Sequence, residues 1–184
     1  MSKSRPLYEP FQLDPTGTSH LVVTNLSAPP DVLDSYLDEI EVWAVDHVSP
    51  GVPAPASGQV RFFRSVTELL SRLEHRLANA TVGLRLYAVG AEAFIWDASN
   101  IASKAGLGQG EVFVYHAGPR HRRAYCTHCR TLIDDVAVNI VVCPACEATL
   151  FVRDHFSRRL AAFMAVKVDA EVSGEIPPGE VFST

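Results

Sequence analysis

The four cysteines of this chain fall in two pairs, Cys126-Thr127-His128-Cys129 and Cys143-Pro144-Ala145-Cys146. Each pair is C-x2-C, and thirteen residues separate the pairs. Two intervening residues let a tight turn aim both sulfurs at one point. Thirteen residues suffice for a short hairpin that brings the second turn beside the first, although the usual spacer is slightly longer, about 15–20. Four thiolates then converge on one tetrahedral ion, most simply Zn²⁺ acting structurally, with Cys126, Cys129, Cys143 and Cys146 as ligands. Two disulfides or four free thiols are the alternative, and no secretory segment argues for the oxidising compartment that disulfides need. A single redox iron also suits four thiolates, as does an iron–sulfur cluster at other spacings. Such centres are usually wrapped by apolar side chains, whereas Arg123, His128, Arg130 and Glu147 surround these turns. A closed zinc site fits better. His128 reads as an exposed turn residue, because a structural zinc accepts only about four ligands.

The elements that must carry these turns follow in chain order. Residues 1–18 form a polar, turn-rich arm that lies on the surface of something. Ser19 to Thr24 is a short buried strand by its β-branched apolar run. Asp31 can cap a helix with Leu33, Tyr36, Leu37 and Ile40 near helical spacing. Glu41 to Val45 is a strand, and Ser49 to Gly58, with three prolines and two glycines, is a loop. Gln59 to Phe63 is a further strand. Ser65-Val66-Thr67-Glu68 is a capping box opening a helix that buries Val66, Leu69, Leu70, Leu73 and Leu77. Gly83 to Val89 is a strand, Ala91 to Ala105 a helix ending at Gly106, and Glu111 to His116 a strand. The order β-α-β-β-α-β-α-β predicts an α/β fold, a doubly wound, mostly parallel, Rossmann-like sheet covered on both faces. Gly118-Pro119 divides residues 1–118 from a zinc-ribbon domain of residues 119–184. Its last ribbon strand is Thr149 to Arg153, and the tail from Asp169 is extended.

Composition narrows the function. The 184 residues are 47% apolar, and the formal net charge is −5. A zinc ribbon on nucleic acid normally brings a basic field. Only Arg120-His121-Arg122-Arg123 is locally basic, so nucleic acid is not an expected partner. No run approaches the roughly 18 apolar residues of a membrane span, and the start lacks a signal core. The expectation is a cytoplasmic protein with reduced thiols.

Doubly wound sheets bind nucleotides beyond the carboxyl ends of their strands, where a glycine-rich turn lets backbone amides reach phosphate. After the first strand this chain has Asn25-Leu26-Ser27-Ala28-Pro29-Pro30, with no glycine and two prolines that donate no amide. The segment Leu84 to Trp96 nevertheless resembles the nicotinamide-binding domain of ferredoxin reductases. There a strand ends in Cys-Gly-Pro and opens a helix. Here Val89 stands for the cysteine and Ala91 for the proline, and Gly106-Leu107-Gly108 with Glu111 to Tyr115 fits the same pattern. The resemblance implies a reductase-type fold. The two changed positions point to a degenerate domain used for docking, with a working NADPH site as the alternative.

The sheet segment, the paired cysteines and Leu150 to Met164 together resemble the small subunit of bacterial dimethylamine monooxygenase. The resemblance covers most of the chain and is most specific from Cys126 to Met164. That system is similar to heme-dependent oxidative N-demethylases. The resemblance implies a subunit of an NADPH- and O2-dependent complex that demethylates a secondary amine to methylamine and formaldehyde. It also implies heme, flavin and iron–sulfur centres on the partners, a heme subunit and a reductase subunit. No catalytic residue is assigned to this chain, whose expected role is structural, docking or electron-transfer-supporting. Its structural or docking segment is placed around His155, Arg158, Arg159, Phe163 and Met164, where the paired arginines could hold an anionic group. The same residues can instead pack on their own domain. The competing function is a free-standing zinc-ribbon adaptor for protein or RNA.

Overall fold

The computed structural model of the protein describes residues 4–27, 30–45, 60–170, 174 and 176–182. The expected loop Ser49 to Gly58 lies outside them. The chain divides into two compact units, Tyr8–Gly118 and Pro119–Thr184, the latter joined by the N-terminal residues up to Leu7. By sequence the whole arm belongs to the first domain. Ser4 departs from it: its backbone N–H donates to the Asp154 carbonyl at 3.2 Å, and its hydroxyl accepts from the Phe156 amide at 3.1 Å.

In the first unit, β1 (Ser19–Thr24), β2 (Glu41–Val45), β3 (Val60–Phe63), β4 (Leu84–Gly90) and β5 (Val112–His116) form one sheet. Their order is β3-β2-β1-β4-β5. Every neighbouring pair is parallel, with Leu21 opposite Glu41 and Leu86, and Leu86 opposite Val112. Strands buried on both sides read as unbroken apolar runs, as Leu21-Val22-Val23 and Leu86-Tyr87-Ala88-Val89 do. The direction of winding reverses between β1 and β4, which makes their carboxyl ends the switch point.

Two helices connect the later strands. α1 (Val66–Leu77) starts at Ser65, whose hydroxyl accepts from the Glu68 amide at 3.1 Å. The returning half of the expected box differs: the Glu68 carboxylate takes the Arg64 amide at 3.1 Å, one residue earlier than the N-cap. Leu69, Leu73 and Leu77 are its buried stripe, while Val66 and Leu70 are only half-buried. α2 (Glu92–Lys104) buries Phe94, Ile95, Trp96, Ala98 and Ala102. The helices pack on each other, α1 against β2 and β3 and α2 against β4 and β5. Each large side chain removed from water here contributes about 1.5–3 kcal/mol.

The opposite face departs from the expectation of helices on both sides. The segment read as a helix from Asp31 is a 3-10 helix, Asp31–Tyr36, preceded by Pro30 and without a side-chain cap. Leu33 is its one buried residue, so it lacks the apolar stripe that sustains a longer helix. Among the described residues, the N-terminal arm adds to this cover. Phe11 and Leu13 join Tyr36 and Leu37 over a core of Val22, Leu33, Ile40, Val42, Tyr87 and Val89. The Phe11 ring lies 5.5 Å from that of Tyr87 and 4.9 Å from that of Tyr115. From Phe11 to Leu13 the arm packs against the sheet's core.

The second unit is a five-stranded sheet of β6 (Arg122–Cys126), β7 (Leu132–Val136), β8 (Ile140–Val142), β9 (Thr149–Ser157) and β10 (Ala162–Lys167). Its order is β7-β6-β10-β9-β8. β6–β7 and β8–β9 are antiparallel hairpins. β10 lies between them, parallel to β6 and antiparallel to β9. β9 thus runs past its expected end at Arg153, and the strand that follows it is the spine of the sheet. Near the end of the expected tail, Val181 bridges Val138, and the Phe182 amide donates to the Ala137 carbonyl at 3.1 Å.

Candidate metal centre

Both cysteine pairs sit in the turns of the two hairpins. At the end of β6, the Cys126 amide donates to the Thr131 carbonyl and the Arg130 amide to the Cys126 carbonyl, each at 2.9 Å. In the β8–β9 turn, the Cys143 amide donates to the Ala148 carbonyl at 3.0 Å and the Glu147 amide to the Cys143 carbonyl at 2.9 Å. The two turns repeat one backbone pattern. Each closes with a residue in left-handed conformation directly after its second cysteine, Arg130 at φ 69° and Glu147 at φ 58°. β10 sets the distance between them: Ala165 is opposite Cys126 on one side and Val152 on the other. The Thr127 amide and hydroxyl both donate to the Ala165 carbonyl, at 3.0 and 3.1 Å.

The four Sγ atoms lie within 4.8 Å of one another, with Cys126–Cys146 at 3.8 Å and Cys129–Cys143 at 3.5 Å. A disulfide needs about 2.05 Å, and all four cysteines are free. Metal–sulfur bonds of about 2.3 Å in a tetrahedron place the sulfurs about 3.8 Å apart, so these residues could hold one such ion. Cys126 and Cys143 are buried, Cys129 and Cys146 half-buried.

Their acidities diverge. The Thr131 hydroxyl, 3.2 Å from Cys129 Sγ, and the Thr131 amide pull the Cys129 thiol down to about 6. Cys146 is pushed up to about 12: the Ala148 amide lowers it, but burial and the neighbouring sulfurs outweigh that. Cys129 therefore deprotonates readily, while burial and hydrogen bonds with the neighbouring sulfurs hold the proton on Cys146. A divalent cation would displace that proton, because metal ligation takes the deprotonated sulfur. His128 is exposed in the first turn and stands outside this ligand group.

The other residues singled out by sequence separate. Arg158 and Arg159 are exposed in the β9–β10 turn, at the far end of β9 from the cysteines, and His155 is exposed on β9 nearby. Met164 is half-buried. Phe163 corrects the expectation of a surface contact: it is 1% exposed, with its ring 4.9 Å from that of Phe156. Alternation along β10 sends it inward.

The basic run is also not a positive field. Arg123 pairs with Asp134 at 2.5 Å, Arg122 with Asp154 at 2.8 Å, and His121 Nδ1 lies 2.5 Å from Asp135. The partners sit on β7 and β9, so spacing along the sequence gave no sign of them. Among the described residues no helix is long and apolar enough to cross a membrane.

The fold and site define a two-unit α/β protein in which a parallel sheet precedes a four-cysteine metal-binding β module. A model of the N-terminal domain of dimethylamine monooxygenase subunit DmmA-like proteins matches residues 1–112, and a model of their C-terminal domain matches residues 123–166. The chain belongs to this DmmA-like family. It is 32% identical over 168 residues to the heme-dependent oxidative N-demethylase delta subunit of Ectopseudomonas mendocina (strain ymp), covering 91% of this chain and 90% of that one. No solved structure matches it significantly.

Proposed function

We propose that this chain is the delta-type subunit of a dimethylamine monooxygenase of the heme-dependent oxidative N-demethylase kind. Its role is structural and docking. It works in the cytoplasm beside a heme subunit and a reductase subunit, which carry the heme, flavin and iron–sulfur centres and use NADPH. The observation that carries this reading is the 32% identity to a delta subunit along 91% of the chain. Redox chemistry on O2 requires a cofactor with recognisable ligands. Among the described residues the clustered ligands are four cysteine sulfurs, which suit a closed structural zinc with no open position. The ion would fasten the two hairpin turns to each other across β10.

Reconstitution of dimethylamine oxidation from the partner subunits, with and without this chain, tests the role. Turnover that requires the chain while the chain alone turns nothing over is the expected result. Full activity in its absence removes the subunit reading. Metal analysis tests the ion separately: about one zinc per chain is expected from the ligand count. Coloured protein with stoichiometric iron would overturn it. Arg158→Ala with Arg159→Ala tests the docking surface, with loss of assembly expected at unchanged zinc content.

A further inference from the structure

The carboxyl edge of a doubly wound sheet is where such folds take their ligands, and among the described residues the chain's own side chains occupy that edge at β1, β4 and β5. Asn25 follows β1, β4 ends at Gly90, β5 ends at His116, and α2 begins at Glu92. The Asn25 side-chain oxygen accepts the Ala91 amide at 3.0 Å, taking a donor that a phosphate would use. Gly90 makes room for it: its φ is 142°, and a Cβ there would lie 1.9 Å from that oxygen.

Beside this cap sits Tyr8. Its ring centroid is 5.5 Å from that of His116, with 31° between the planes. Its hydroxyl donates to Glu92 Oε1 at 2.7 Å and accepts from the Trp96 indole N–H at 2.9 Å. Glu92 and Trp96 are each 8% exposed. A phenol is thus held as a ligand would be held, ring against ring, with its hydroxyl between one nearly buried donor and one nearly buried acceptor. From there the arm runs down the sheet toward its amino end. The Gln12 carbonyl accepts from the Tyr115 hydroxyl at 3.0 Å, the Asp14 amide donates to the Tyr87 hydroxyl at 3.0 Å, and Arg85 bonds Asp14 at 2.6 Å.

We propose that the carboxyl-edge crevice is a phenol-binding site whose occupant is the chain's own Tyr8, so that the arm is an internal ligand closing the sheet. The chemistry of the site follows. A carboxylate and an amide oxygen repel phosphate, so NADPH finds no seat. An aryl alcohol fits, but only by displacing Tyr8. The inference does not depend on the oxygenase assembly and is tested on the full chain alone.

The probe is 4-methylphenol, followed by the indole N–H resonance of Trp96 in nuclear magnetic resonance spectra of wild type, Tyr8→Ala and Tyr8→Phe. Tyr8→Ala should bind 4-methylphenol with a Kd of about 1 mM, the range of a small fragment. Binding should return the Trp96 resonance toward its wild-type position. Toluene should bind at least about tenfold more weakly, which is the share of the hydroxyl's two hydrogen bonds. Wild type should ignore both probes and NADPH. Tyr8→Phe keeps the ring and loses the hydroxyl, so the Trp96 resonance should move with the rest of the spectrum unchanged. That arm decides the matter if Tyr8→Ala fails to fold. Equal responses of wild type and Tyr8→Ala, equal binding of toluene, an unmoved Trp96 in Tyr8→Phe, or NADPH binding by wild type would each overturn the proposal.

Discussion

Arg122 is 6% exposed, and its guanidinium lies 4.1 Å from the ring centroid of Phe163 and 3.9 Å from that of Phe182. Asp154 takes one of its N–H groups at 2.8 Å. A planar, weakly hydrated cation can face two rings and still donate at its edge, which a lysine ammonium cannot. Arg122→Lys should therefore cost about 1–2 kcal/mol despite keeping the charge, read from urea unfolding of the second unit. An unchanged midpoint would show that the stacking contributes nothing. Asp14 makes a pH-dependent contribution. The hydrogen bond from Arg85, with those from Thr16, holds its carboxyl down to about 2. A carboxylate depressed by folding stabilises fully above its ordinary value near 3.8 and loses that contribution as pH falls toward 2. Asp14→Asn should flatten the acid limb of the stability curve between those values and leave salt sensitivity reduced at pH 7. Glu147 carries local backbone strain at φ 58°. Glu147→Gly should be neutral or stabilise by up to about 1 kcal/mol, and Glu147→Val should destabilise by at least about 1 kcal/mol, both by thermal melting.

At the scale of elements, the cysteine turns, the parallel strands and both α-helices were legible because each has a local signal: C-x-x-C spacing, an unbroken β-branched run, a serine cap with a 3.6-residue stripe. What stayed hidden depends on neighbours distant in sequence. The arm shows no periodicity because Phe11 and Leu13 pack singly on a face built by β1, β2, β4 and β5. The segment from Leu160 to Met164 reads equally as a surface or as a helix or strand packed on its own domain. Only the pairing of β10 with both β6 and β9 decides it. Once β10 is the spine, its mutations acquire a direction. Phe163→Ala removes a ring from the centre of the second unit and should cost about 3–5 kcal/mol. It should also weaken metal retention, since Ala165 two residues on holds the first cysteine turn. Arg158→Ala, at the exposed end of the same hairpin, should change stability by no more than about 0.5 kcal/mol. Retention of the metal against a chelator by purified variants separates the two. Equal retention would mean that β10 does not set the site.

For the whole molecule the question is which part of its stability belongs to the metal. The unit Tyr8–Gly118 has its own core, in which Trp43, Tyr87, Leu21, Leu69 and Ile95 are at most 2% exposed. The second unit is smaller, and its two hairpin turns meet through sulfur. Metal binding in small four-ligand modules supplies about 10–16 kcal/mol, comparable with the entire net stability of an ordinary domain, about 5–15 kcal/mol. Stripping the ion should therefore unfold the second unit and leave the parallel sheet standing. Amide hydrogen exchange reads this element by element, because protection reports local opening free energy. After chelation the amides of β6, β8 and β9 should exchange at nearly unprotected rates, while those of β1 and β4 keep their protection. Heating should then give two transitions in the chelated protein, and only the lower-temperature one should shift on adding zinc. Loss of protection in β1 and β4 together with β6 would mean that one cooperative transition spans both units and that the metal stabilises the chain as a whole.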